Sequence, residues 1–309
     1  MGKNRRAAAR RRSPAAVPVV LLAVIAVLVG HLAAASATPL PADPASAPTS
    51  SSVHYVALGD SRAAGLTTTS QAAGDGCGRT DAGYPVLVAR ALRVASFTTV
   101  ACGGAVTADV VDRGQSTSDG RRVPVQTAAV RPDTSLVTLS IGGNDIRWFG
   151  IVSRCMETTP GRDRDCRADP GLPGLVAERL ATLSTRLDHV LRQIRAHAPA
   201  ARILVVGHGG YFGPRGCAGA APFSDPDAPV IADFFRQLDG VYQAAALRAG
   251  AGFVDVGAAA VGHDACAPDG QRWFTGVRAA DGVPSTHPTP TGSDGIARAV
   301  VATLALSLT

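Results

Sequence analysis

Short runs rich in β-branched residues alternate with longer segments of helical period along most of the chain. His54–Leu58 reads as a strand that ends at Gly59, and Ser96–Ala101 and Ser135–Ile141 read as a second and a third. Arg202–Val206 and Gly252–Val256 supply a fourth and a fifth. Between them, Tyr84–Val94 has apolar positions at helical spacing, with Pro85 near its start. Leu172–His197 predicts a long amphipathic helix, with Leu175, Leu180, Leu183, Leu187, Leu191 and Ile194 along one face and Pro199 as its stop. Helices are also expected over Val230–Ala249 and Pro290–Leu306. Five strands alternating with helices predict a doubly wound α/β fold, a parallel sheet with helices on both faces. Such sheets carry their chemistry in the loops beyond the carboxyl ends of the strands. No internal repeat interrupts the alternation. Thr67–Thr80 and Arg154–Leu172 read as surface excursions from it.

The start of the chain follows a different pattern. Lys3, Arg5, Arg6, Arg10, Arg11 and Arg12 precede an apolar run, Val19 to Val29, and then the small-residue triplet Ala35-Ser36-Ala37. This order predicts a secretory signal peptide over 1–37, cut after Ala37, with an uncleaved anchor helix as the alternative. Residues 38–52, rich in Pro, Ser and Thr, are expected to form a disordered linker before one folded domain at 53–309. The leader also explains the net charge of +6, because it holds six basic residues and no acidic one. The remaining 24 basic residues balance 24 acidic residues, so the composition predicts no nucleic-acid partner. With 46% hydrophobic and 17% charged residues, the rest can bury a sizeable core.

Export would give the six cysteines a purpose. Cys77, Cys102, Cys155, Cys166, Cys217 and Cys266 allow 15 sets of three disulfides. Nearest-neighbour pairing, 77–102, 155–166 and 217–266, is the simplest because each bond would staple one excursion. Zinc is the competing reading, but there is no C-x-x-C and the spacings are irregular. No metal and no cofactor are expected.

Four blocks near strand ends carry candidate chemistry. Gly59-Asp60-Ser61 puts a hydroxyl at the tip of the first strand, where following N–H groups can stabilise an oxyanion; a plain turn serine is the bland alternative. Cys102-Gly103-Gly104-Ala105 lets the backbone approach a ligand closely, or is a tight turn beside a disulfide. Gly142-Gly143-Asn144-Asp145 presents an amide donor, or is an ordinary Asn/Asp turn. Ser285-Thr286-His287-Pro288 places a histidine before the last helix, at the same sheet edge, where it can serve Ser61 as general base. His208, after the fourth strand, is a possible pocket-lining residue. His189 and His197 fall on the polar side of the long helix, while His54 and His263 read as structural. Neither H-E-x-x-H nor G-x-S-x-G occurs, and Lys3 is the only lysine.

The ordered blocks YVALGDS, CGGA, SIGGND and STHP resemble the SGNH, or GDSL-type, hydrolase superfamily over nearly the whole chain after Tyr55. The six cysteines, Gly83-Tyr84-Pro85, Gly262-His263 and Trp273 make the likeness closest to its secreted, disulfide-containing lipases and esterases. The resemblance implies a flavodoxin-like sheet. It also implies Ser61 as nucleophile, His287 as base, and an oxyanion hole from the Ser61 and Gly104 N–H groups and the Asn144 side chain. The implied protein is a secreted serine esterase or lipase acting on an ester or lipid substrate, expected to be monomeric with no stable membrane anchor after cleavage. The alternatives are a carbohydrate O-deacetylase and a catalytically inactive secreted binding protein of the same fold.

Two positions depart from the family pattern. The acid usually found three residues before the histidine is replaced by Pro284. The Pro284 main-chain carbonyl is therefore the first candidate to orient His287, with Asp281 as the alternative. Arg62 follows the serine where a smaller residue or Tyr is commoner; it is expected to face solvent, with binding an acidic head group as the alternative.

Overall fold

In a computed structural model of the chain, residues 52–306 are described, except 71–75, 118, 158, 160 and 161. The expected leader, and all of the expected linker but Ser52, lie outside the described residues. Strands β1 (His54–Gly59), β2 (Ser96–Thr99), β3 (Leu136–Ser140), β4 (Arg202–Val206) and β5 (Gly252–Val254) form one sheet in the order β2-β1-β3-β4-β5. Every neighbouring pair is parallel. All five elements lie where the sequence pattern predicts them.

The β-branched runs are buried on both sides, which is why they lack polar alternation: β3 is buried at every position, and β1 and β4 at all but their first. The four main helices are α1 (Tyr84–Leu92), α2 (Leu172–His197), α3 (Ala228–Arg248) and α4 (Pro290–Leu306). α1 packs on α4, and α2 on α3. Right-handed crossovers then put the two pairs on opposite faces, because the chain winds outward to β2 and back across β1 to β3. That reversal opens a crevice beyond the carboxyl ends of β1 and β3. Of the expected α2 face, Leu180, Leu183, Leu187, Leu191 and Ile194 are buried as the period requires, while Leu175, near the start of the helix, is only partly buried.

The three disulfides are Cys77–Cys102, Cys155–Cys166 and Cys217–Cys266, the nearest-neighbour set. The first joins the excursion after β1 to the loop leaving β2, where Gly103 N–H also donates to the Cys77 carbonyl at 2.8 Å. The third ties the loop after β4 to the loop after β5. Features not legible in the sequence pattern include a two-stranded ribbon, Gln115–Ser116 with Arg122–Val123, a 3-10 turn at Gln126–Ala129, and short helices at Thr107–Val111, Trp148–Val152 and Val256–Ala259. Among the described residues no helix is long and apolar enough to cross a membrane.

Candidate active site

Ser61 is exposed to the crevice because β1 cannot continue past Gly59. At Gly59 the backbone has φ +151°, and a Cβ there would lie 2.5 Å from the Ser140 carbonyl oxygen, so only glycine fits. The Gln126 side chain holds this glycine from both sides, accepting from its N–H and donating to its carbonyl, each at 2.8 Å. Asp60 then caps a one-turn helix, Ser61–Ala64, by accepting from Arg62 N–H at 3.0 Å. Burial pushes the Asp60 carboxyl up to about 6, partly opposed by the Arg62 charge. Gly65, in the left-handed region, ends the turn.

His287 comes to the same point from the loop before α4. Its Nε2 lies 2.7 Å from Ser61 Oγ, and its Nδ1 lies 2.7 Å from the Ser285 carbonyl oxygen. A carbonyl can only accept, so Nδ1 carries the proton and Nε2 is left to accept from the serine hydroxyl. This corrects the expectation for Pro284: its carbonyl accepts from Thr275 Oγ1 at 2.6 Å and is turned away from the imidazole. Asp281 is excluded as well, because its carboxylate pairs with Arg272 Nε at 3.1 Å. Thr275 was missed by sequence reasoning. It is fully buried, and its hydroxyl also accepts from His287 N–H at 3.0 Å, so one side chain clamps the loop on both sides of Ser285. Burial lowers the His287 pKa, the Ser285 carbonyl opposes that shift, and the Arg62 charge adds to it.

The three donors that the sequence proposed for an oxyanion each keep an N–H without a partner among the described residues. The N–H groups of Ser61 and of Gly104, itself in the left-handed region, have no partner among the described residues. Asn144 Nδ2 donates to the Ala105 carbonyl at 2.9 Å, which fixes the amide plane and leaves its second N–H free. Asp145 braces this edge. Its carboxylate accepts from Thr107 N–H at 2.9 Å, Thr107 Oγ1 at 2.5 Å and Arg186 at 2.9 Å, joining the second and third sequence blocks to α2. Ser61, Asn144, Trp148, Phe149, His208 and His287 line a cleft of about 230 Å³.

Arg62 departs from expectation most sharply. Instead of facing solvent it is 3% exposed beneath the cleft. Its NH1 donates to Gly207 O at 2.9 Å, to His208 Nδ1 at 3.1 Å and to Ser140 Oγ at 3.3 Å. The serine turn directs the next side chain inward, where the ends of β3 and β4 offer these acceptors. His208 lines the cleft as the strand-end position suggested, and burial holds its pKa well below the ordinary imidazole value. His54 bonds to Ser96 Oγ, and His263 stacks on Trp273. Among the described residues no three His, Cys, Asp or Glu side chains converge as a metal site.

Residues 57–294 match the GDSL-like lipase/acylhydrolase family. Lipase 2 of Streptomyces coelicolor is 31% identical over 285 residues, covering 89% of this chain and 90% of that protein. The crystal structure of a phospholipase A1 from Streptomyces albidoflavus superposes with a TM-score of 0.65 at 31% identity, over 82% of this chain and 100% of that one. An extracellular lipase from Streptomyces rimosus gives 0.63 at 27% identity, over 81% and 99%. With the family match over most of the chain and the matching fold of these structures, the chain belongs to the GDSL-like lipase/acylhydrolase family.

Proposed function

We propose that this family member is a secreted serine esterase or lipase that hydrolyses carboxylic esters through an acyl-enzyme on Ser61, with His287 as general base. The observation that carries the reading is the continuous line from the Ser285 carbonyl through His287 to Ser61 Oγ, with both hydrogen bonds at 2.7 Å. His287 Nε2 takes the Ser61 proton as Oγ attacks the ester carbonyl carbon. The carbonyl oxygen becomes an oxyanion facing the Ser61 and Gly104 N–H groups and the free Asn144 N–H. Collapse breaks the ester C–O bond, and the imidazolium returns the proton to the leaving alcohol. Water then repeats the sequence on the acyl-enzyme, releasing the acid and restoring Ser61. A main-chain carbonyl suffices as third member because that member chiefly fixes the tautomer and stabilises the imidazolium. The leader-like start and three disulfides support export.

The test is active-site labelling of the oxidised protein with a fluorophosphonate, read by peptide mass mapping. The expected result is one adduct, on Ser61, lost together with p-nitrophenyl ester hydrolysis in Ser61→Ala. An unlabelled Ser61 in folded protein would move the assignment to a non-catalytic binding role.

A further inference from the structure

Arginine is almost never fully buried unless it is paired, yet Arg62 is buried directly beside the candidate nucleophile. Its three NH1 acceptors are all neutral groups, and its Nε and NH2 are buried without a hydrogen-bond partner among the described residues. The guanidinium also lies 5.7 Å from the centre of the Tyr211 ring. Burying this charge costs stability, so its place asks for a role that a neutral side chain would not fill.

The contacts specify that role. A guanidinium can only donate, so the bond from NH1 requires His208 Nδ1 to be an unprotonated acceptor and the ring to be neutral. The same ring supports Gly143: a Cβ there would meet His208 Cε1 at 2.6 Å. Gly143 immediately precedes Asn144, so Arg62 reaches the amide edge of the oxyanion site through His208. Through its own backbone it belongs to the one-turn helix that starts at Ser61.

We propose that Arg62 is a positioning residue of this site: it ties the serine turn to the ends of β3 and β4, and its NH1 bond holds the His208 ring in the neutral form against Gly143, beside Asn144. The consequence for turnover rests on the acyl-transfer reading above. The groups facing this cluster come from every surrounding element. Asp60 lies on the serine turn, Tyr84 on α1, and His208 and Tyr211 after β4. Asp239 and Tyr242 lie on α3, Asp145 after β3, and His287 before α4. Burial pushes both Asp60 and Asp239 up to about 6, so these two carboxylates become neutral as the medium acidifies. The arginine charge is then less balanced in the range where an imidazole would take up a proton. For His208 and His287 alike, burial and the Arg62 charge both favour the neutral ring.

The test combines a ¹⁵N-histidine NMR titration of the full chain with steady-state kinetics on a soluble p-nitrophenyl ester. In the wild-type protein, His208 should remain the neutral tautomer with Nδ1 unprotonated while the protein stays folded. In Arg62→Gln, the His287 titration and the acid limb of kcat/KM should both move to higher pH. Its kcat should fall about 10- to 100-fold, the scale of a small misplacement of reacting groups, with KM nearly unchanged. Arg62→Lys keeps the charge but not the planar fork, so its His287 titration should stay near wild type while kcat still falls.

A cationic His208 in the wild type would overturn the proposal. So would an Arg62→Gln variant that loses only thermal stability and keeps its pH profile and kcat. If Arg62→Gln does not fold, Arg62→Lys and the wild-type His208 tautomer decide. The NMR titration reads Arg62 independently of turnover, so it separates failure of this proposal from failure of the Ser61 assignment, which Ser61→Ala tests.

Discussion

Thr275 shows how much of the site depends on single atoms away from the reacting groups. Its hydroxyl holds the Pro284 carbonyl and the His287 N–H, and so leaves the Ser285 carbonyl as the one that faces the imidazole. Thr275→Val keeps the shape but leaves that carbonyl and N–H with one partner fewer, which costs about 1–3 kcal/mol. The expected outcome is a Tm decrease together with a kcat loss of about tenfold or more and little change in KM, read by calorimetry and ester kinetics. A second expectation concerns the base itself. His287 must be neutral to accept a proton, and burial, the largest influence, lowers its pKa from the ordinary value of 6.5. The protonated, inactive form therefore sets in only at lower pH, and the acid limb of kcat/KM should have its midpoint below 6.5. A pH–rate profile checks this directly.

At the scale of elements, chemistry is assembled where strand ends meet and is held by side chains that join them. Asp145 is the clearest case, because its carboxylate, 1% exposed, binds Thr107 and Arg186 and so locks the loop after β2 and the tip of β3 onto α2. Asp145→Asn keeps the size and removes the charge. It should lower stability by about 1–3 kcal/mol and reduce kcat several-fold through the adjacent Asn144, without losing labelling at Ser61. Denaturant titration and fluorophosphonate labelling would read the two effects separately. The motif Gly142-Gly143-Asn144-Asp145 suggested a donor at a strand tip; the strand, β3, lies where the pattern placed it, and the motif opens a one-turn helix, Gly143–Ile146, just beyond it. What could not be read was that its last residue would be the brace, since Thr107 and Arg186 are distant in sequence.

Over the whole molecule, the disulfides fix the loops that carry these elements. By loop-closure entropy alone, opening Cys217–Cys266, with a separation of 49 residues, should cost about 4 kcal/mol, and opening Cys155–Cys166, with a separation of 11, about 3 kcal/mol. Paired Cys→Ser variants compared by guanidinium denaturation should follow that order. Cys217–Cys266 also links the loop after β4, which carries His208 and Tyr211, to the loop after β5. Its loss should therefore reduce activity before global unfolding, whereas loss of Cys155–Cys166 should do so less.

The sequence by itself determined the sheet, the four main helices and the four motif blocks, and made nearest-neighbour pairing the simplest of the 15 disulfide sets. These rest on periodicity, on glycine at strand ends and on local order, all written within a few residues. Tertiary structure alone decided which carbonyl faces His287, because the orientation of that loop is set by Thr275, which leads the sequence by 12 residues. It also decided the fate of Arg62. Its neighbours in sequence suggest an exposed arginine, but the sheet brings Ser140, Gly207 and His208 beneath the serine turn, and those acceptors hold the charge inside.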